Sequence, residues 1–316
     1  MFGNSLLKIA IVIPCYKVEL HIEKVITSLP SFVDYVIAVN DCSPDFTKNV
    51  ILNVAISNTK VIYVENTVNQ GVGGAMIAGF KKAIDLNCDI VVKLDGDGQM
   101  NAAYIEKLII PLVESKADFT KGNRFRNHKA LRQMPFIRRI GNIGLSFLTK
   151  AASGYWNVFD PTNGFIAINQ EVLRNIDFER LHKRYFFESS LLIELYHTEA
   201  AIKDIPMDAQ YGTEVSNLSV TKTLFEFPPK LLKAFFRRIV FKYFLYDFNI
   251  ASLYILFGMP LLILGFWYGF SNFIYYSQHN ISAPTGTVVI PTLMITIGFQ
   301  LMLSAINFDI SNYPKK

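Results

Sequence analysis

Asp95 and Asp97, one residue apart, close the apolar run Ile90–Leu94, and Gln99 follows two residues later. The run reads as a buried strand, although Lys93 lies within it. Carboxylates at the carboxyl end of a parallel strand stand where open α/β sheets bind ligands. Gly96 between them permits a bend that turns both toward one ion. Such hard oxygen donors, with the Gln99 amide oxygen as a third, suit Mg²⁺ or Mn²⁺ shared with a substrate diphosphate. Taken alone, the pair reads equally well as an acidic turn, because Asp and Gly dominate turns.

Two other strand ends carry matching chemistry. Pro14-Cys15-Tyr16 follows Ile9–Ile13, and Asn40-Asp41-Cys42 follows Tyr35–Val39. Tyr16 can stack on or border a base, and Asp41 can accept bonds from a base N–H or ribose hydroxyls. Gly71-Val72-Gly73-Gly74-Ala75-Met76 has Met76 where a dinucleotide fingerprint needs its third glycine, and it follows the third strand rather than the first. Its amides still stand at a helix N-terminus, available to an anion or a nucleotide. A basic stretch, Lys121–Arg139, reads as solvated loop or as a contact for anionic headgroups and an acceptor phosphate.

These loops need a scaffold. Strands at Ile9–Ile13, Tyr35–Val39, Val61–Val64 and Asp89–Leu94 alternate with helical stretches at Glu19–Leu29, around Val50–Ala55 and from Gly71 to about Leu86. That alternation predicts a parallel sheet covered on both faces. Beyond it the spacing predicts helices at Ala102–Glu114, Phe136–Ala152 and Glu188–His197. Short strands are expected at Phe119–Gly122, Gly164–Ile168 and Ala201–Ile205.

The 316-residue chain is 51% hydrophobic and 18% charged, and the apolar residues are unevenly placed. Phe248–Phe308 contains no Asp, Glu, Lys or Arg. Within it, Ile250–Tyr276 and Thr287–Ile306 are each long enough to cross a bilayer. Leu231–Tyr243 sets Leu232, Phe235, Phe236 and Ile239 opposite Lys230, Lys233, Arg237 and Lys242, the pattern of a helix lying in a membrane interface. Basic residues flank the pair of spans and are absent from the connector Ser277–Gly286, which places both ends in the cytoplasm. No signal peptide is read at the N-terminus, since Ile9–Ile13 is too short for one. Cys15, Cys42 and Cys88 lack metal or disulfide spacing and read as reduced thiols. A net charge of +5 carries no nucleic-acid signature.

The segments IPCYK, VNDCSPD, NQGVGGAMIAG, LDGDGQ, KGNRF and DPTNGF resemble, in order and approximate spacing, those of family 2 glycosyltransferases, in the branch similar to dolichol-phosphate mannose synthase and bacterial polyprenyl-phosphate glycosyltransferases. The resemblance covers about residues 8–220. It implies a Rossmann-like glycosyltransferase A fold of the α/β class, with a mostly parallel sheet, and an inverting, metal-dependent hexosyltransferase. By the same resemblance, Pro14, Tyr16, Val39 and Asp41 contact the nucleoside. Asp95, Gly96 and Asp97 face the diphosphate, with Asp95, Asp97 and Gln99 holding the metal. Arg124 contacts a donor or acceptor phosphate, and Asp160 lies by the reacting centre. Two departures stand out. Asn40 replaces the usual first Asp of its motif, and Tyr211–Asn217 lacks the family's later phosphate-binding cations.

The expected layout is a catalytic domain at 1–222, an interfacial helix at 223–247, a membrane hairpin at 248–310 and a tail at 311–316. The expected protein sits in the inner or plasma membrane as a multi-pass chain with its catalytic domain cytoplasmic, and builds cell-envelope polysaccharide. It moves a sugar from a UDP- or GDP-sugar to a lipid-linked acceptor, taken first as polyprenyl phosphate. A homo-oligomer is compatible with the sequence. The alternatives are transfer to a hydroxyl of a lipid-linked oligosaccharide and an inactive membrane scaffold. Asp160 separates the acceptors. It would be the base for a hydroxyl and an orienting residue for a phosphate, which already carries its negative charge. Glu188 is a second carboxylate, at a helix start, where such a charge is favourable in its own right.

Overall fold

The computed structural model describes residues 7–124, 136–161, 163–208 and 220–316. Seven strands form one sheet: β1 (Ile9–Cys15), β2 (Tyr35–Asn40), β3 (Val61–Glu65), β4 (Ile90–Lys93), β5 (Phe119–Asn123), β6 (Ile166–Asn169) and β7 (Ile202–Pro206). Their order is β3-β2-β1-β4-β6-β5-β7. All neighbours pair in parallel except β6, which is antiparallel to β4 and to β5.

The parallel half follows from its connections. Helices α1 (Ile22–Thr27), α2 (Thr47–Ser57) and α3 (Gly71–Asp85) carry the chain back to the same end of the sheet each time, so the strands they join run parallel. Strand side chains alternate between two buried faces. Ile9, Ile11, Ile13 and Val92 pack on one face; Ala10, Val12, Ile37 and Val91 pack on the other with Phe80 of α3. Continuous apolar strands are the consequence of covering both faces.

Most expected elements are present, with shifted ends. α1 is shorter than the expected Glu19–Leu29, and Leu20, assigned to its apolar face, is 83% exposed. α4 (Tyr104–Val113) contains Pro111, and α5 (Phe136–Ser153) follows β5. The short helix α6 (Gln170–Asn175) was not expected; too brief for periodicity, it is nucleated by Asn169, whose side chain accepts the Val172 N–H. α7 (Phe187–His197) lies on the face of the sheet that carries α3.

The chain divides into two units, Met1–Ala234 with Pro314–Lys316, and Phe235–Tyr313. The dividing point falls inside α8 (Val220–Val240), which starts close to the expected 223, ends before the expected 247 and runs through Pro228 and Pro229. The second unit contains α9 (Ile250–Gln278) and α10 (Thr285–Ser311), both long and apolar enough to cross a membrane. At ~1.5 Å per residue each exceeds the ~30 Å hydrocarbon core. Asn249 and Ser252 form a capping box that starts α9. Small residues recur every seven positions on the buried stripes, Ala251, Gly258 and Gly265 on α9 and Pro291, Gly298 and Ala305 on α10. A Cβ on Gly258 would stand 3.2 Å from the Gly298 carbonyl oxygen, so the glycines let the backbones approach.

Between these helices and the residues before them, Arg238 grips both oxygens of Asp309 at 2.8 Å, and Tyr243 Oη donates to the same carboxylate at 2.5 Å. All three side chains are buried.

Candidate active site

β2, β1 and β4 are neighbours, so the three acidic or aromatic strand ends stand side by side. Pro14 pairs with Val39, and the Asp41 N–H donates to the Cys15 carbonyl. At the end of β4 the chain turns into a cavity of about 150 Å³ whose lining includes Asp95, Asp97, Gln99, Arg124, Asn163 and Asp208. The bend is not made where expected. Gly96 is buried with ordinary backbone angles, and the left-handed residue is Gly98, at φ +76°. Asp97 Oδ1 accepts the Gln99 N–H at 3.0 Å, so the aspartate also closes its own turn.

Asp95 is tied to a buried cation. Lys93 Nζ is 2.7 Å from Asp95 Oδ1 and 3.3 Å from Glu188 Oε1 in the first turn of α7, and the lysine side chain is 1% exposed. Burial alone would discharge Lys93, but Asp95 and Glu188 outweigh it and raise its pKa. A second lysine is equally buried. Lys121 lies in β5, not in a solvated loop, and donates to the Asn163 carbonyl. Burial pulls its pKa down to about 8, against the opposing pull of Asp160 and Glu188.

The donors around the cavity fit a hard divalent ion. Among the described residues no group of three or more His, Cys, Asp or Glu is arranged to hold a metal unaided. Two carboxylates and an amide oxygen on one cavity are what Mg²⁺ uses when substrate phosphates complete its shell.

Arg124 reaches the cavity from the end of β5, and Asp160 fixes it there. Asp160 Oδ2 accepts Arg124 Nε at 2.8 Å and its backbone N–H at 3.2 Å, and Oδ1 accepts Nη2 at 3.1 Å. Asp160 is 0% exposed and does not line the cavity, whereas Arg124 keeps 39% of its side chain accessible. Both Asp160 oxygens are thus engaged by Arg124. Nearby, Asp204 accepts Asn123 Nδ2 and the Phe159 N–H, both at 2.9 Å, and burial raises its pKa to about 6.

The expected nucleoside contacts divide. Pro14 and Tyr16 lie at the end of β1, with Tyr16 44% exposed. The Val39 side chain is in the core and faces Gly79. Asp41 is 2% exposed and accepts Asn66 Nδ2 at 2.7 Å, the Gln70 N–H at 2.9 Å and the Gly71 N–H at 2.7 Å. The anion facing the start of α3 is therefore the protein's own. Gly74 N–H donates to the Lys183 carbonyl, and a Cβ on Gly73 would stand 2.2 Å from the His182 carbonyl oxygen. The glycines accommodate that close approach. Residues 125–135 of the basic stretch, Thr162 and Tyr211–Asn217 lie outside the described residues.

Sequence reasoning missed Lys93 and the paired Tyr104 and Asp208. The Tyr104 hydroxyl donates to the Asp208 carboxylate at 3.0 Å and accepts the Asp208 N–H at 3.1 Å. The signal for Lys93 was present as a lone charge in an apolar strand. The Tyr104–Asp208 pair, separated by 104 residues, had none.

Residues 10–177 match the sequence profile described as Glycosyl transferase family 2. The chain is 33% identical over 247 residues to the UDP-N-acetylglucosamine–dolichyl-phosphate N-acetylglucosaminyltransferase of Methanococcus voltae, spanning 74% of this chain and 96% of that one. It is 24% identical over 226 residues to the dolichol-phosphate mannosyltransferase of Pyrococcus furiosus, spanning 70% and 62%. Among solved structures, glucosyl-3-phosphoglycerate synthase of Mycobacterium tuberculosis, in complex with Mn²⁺, UDP and its glucosyl product, aligns with TM-score 0.53 at 20% identity over 74% of this chain and 80% of that one. Mannosyl-3-phosphoglycerate synthase of Rubrobacter xylanophilus aligns with TM-score 0.55 at 15% identity, over 77% of each chain. These two likenesses are of fold.

Proposed function

The chain belongs to glycosyl transferase family 2, and from that premise we propose that it is a membrane-anchored inverting transferase moving a sugar from a nucleotide sugar to a polyprenyl phosphate. The relative at 33% identity, named for UDP-N-acetylglucosamine and dolichyl phosphate, makes that pair the first donor and acceptor to test. Asp95, Asp97 and Gln99 would hold a divalent ion, which when bound stabilises the leaving nucleoside diphosphate as a Lewis acid. Pro14 and Tyr16 border the nucleoside.

The observation that carries the acceptor assignment is the Arg124–Asp160 pair. Asp160 engages Arg124 through both oxygens, and the guanidinium, 39% accessible, lines the cavity where an anion would enter. Arg binds phosphate in this planar, charge-assisted manner. A lipid phosphate is already ionised and needs no base, which agrees with an Asp160 committed to Arg124. α9 and α10 support membrane anchoring, and the lack of basic residues in Ser277–Gly286 supports a cytoplasmic catalytic domain.

The test is transfer from a panel of labelled UDP- and GDP-sugars by membranes containing the full chain, supplied with polyprenyl phosphate or with a lipid-linked oligosaccharide, followed by lipid extraction. Label in a mild-acid-labile polyprenyl phosphosugar supports the proposal. Label only on the oligosaccharide moves the acceptor to a hydroxyl, and no labelled lipid with any donor refutes lipid glycosylation. Protease added outside intact cells should reach only the connector; cleavage in the catalytic domain would reverse the orientation.

A further inference from the structure

We propose that Lys93 is a positioning residue for the transfer reaction, its buried ammonium fixing the Asp95 carboxylate so that Oδ2 remains for the metal. The proposal rests on the metal reading of the cavity given above. An ammonium cut off from water must find partners on every side. Lys93 finds Asp95 Oδ1 at 2.7 Å and Glu188 Oε1 at 3.3 Å, drawn from two different elements. The ion pair therefore sets the rotamer of Asp95 from behind the site. Asp95 remains 31% exposed at the cavity, and Oδ2 is the oxygen on the side of Gly164.

The strand register shows why Lys93 holds one position. Lys93 and Lys121 both pair with Ile166, from opposite sides, so all three residues share one face of the sheet. Lys121 donates to the carbonyl of Asn163, the residue before Gly164. Gly164 then passes directly over Lys93: a Cβ there would stand 2.2 Å from Lys93 Nζ and 3.2 Å from Asp95 Oδ2. One lysine thus holds the backbone at Asn163 while the next residue, Gly164, confines the other lysine. Glu188, read from sequence as a favourable first-turn charge, is the second anchor of the ammonium.

Hydrogen-bond partners that orient metal-ligating carboxylates typically contribute ~10–100-fold to metal affinity or activity. The measurement is Mn²⁺ titration of the detergent-purified full chain, followed by electron paramagnetic resonance with and without UDP, alongside the melting temperature. Lys93→Met removes a positive charge close to the metal position, which by itself would tighten Mn²⁺ binding. Positioning predicts the opposite sign, a weakening of ~10–100-fold. A purely structural role would lower the melting temperature without weakening Mn²⁺ binding by the folded protein. Gly164→Ala changes no charge but displaces the ammonium. It should weaken Mn²⁺ binding in the same way, and it carries the test if Lys93→Met does not fold. Unchanged or tighter Mn²⁺ binding in a folded variant overturns the role of Lys93. Absence of Mn²⁺ binding in the wild type overturns the metal reading as well.

Discussion

Asp160, with no exposed surface, receives two side-chain nitrogens of Arg124 at 2.8 and 3.1 Å. The carboxylate expected as base for a hydroxyl acceptor or as orienting residue for a phosphate holds a guanidinium, and that guanidinium lines the cavity. Hydrogen bonds to charged groups contribute ~1.5–3 kcal/mol, or ~10–150-fold. Asp160→Asn and Arg124→Gln should each lower kcat/KM for polyprenyl phosphate by an amount in that range. Because they act as one unit, the double variant should be little worse than either single one. Additive losses in that double-mutant cycle would separate the two residues.

Asp97 lines the cavity while closing its own turn through the Gln99 N–H. Asp97→Asn keeps the turn acceptor and removes the charge. Transfer should fall below detection with the melting temperature within a few degrees of wild type. Excess chelator should likewise stop the wild type, with Mn²⁺ or Mg²⁺ restoring it. Undiminished turnover in chelator would exclude a required metal.

Asp41 satisfies three donors at the start of α3. Each buried donor left without a partner costs ~1–3 kcal/mol. Asp41→Ala should therefore lower the melting temperature measurably, and any loss of nucleotide binding should follow from the displaced α3 loop. A variant with wild-type stability but no nucleotide affinity would return Asp41 to the ligand.

Asp204 has its pKa raised to about 6 by burial, against an ordinary value of 3.8. The folded state therefore holds this proton more tightly than the unfolded state. The resulting contribution favours folding below about pH 4 and is lost as pH rises through about 6. Asp204→Asn should flatten that part of the stability profile, which melting curves between pH 4 and 8 would reveal. An unchanged profile would mean that Asp204 titrates normally.

Arg238 and Asp309 form a buried bidentate pair in the second unit. Removing one partner of such a pair typically costs ~3–5 kcal/mol, because the other charge is stranded. Asp309→Ala should destabilise the detergent-solubilised protein strongly, and Arg238→Met combined with Asp309→Leu should recover part of the loss. Melting temperatures of the two variants decide this, and a double variant no more stable than Asp309→Ala would refute it.

Local pattern alone determined a good deal of this protein. The strands were legible as continuous apolar runs because both sheet faces are covered, the helices between them by their 3.6 period, and the two long apolar helices by length and composition. The Asp95–Gln99 turn was legible because strand ends and turn residues are local features. The assignment of partners was not, since that depends on which distant residues the sheet order brings together. β6 and β5, added after the parallel half, set Lys93 and Lys121 about Ile166 and bring Asn163 and Gly164 over them. That the start of α3 would fold back onto Asp41, and that Arg124 and Asp160 would meet across 36 residues, was not written in either local pattern. A carboxylate's type is written in the chain, but its task is decided by the donors that packing leaves within about 3 Å of it, and only the tertiary structure supplies those.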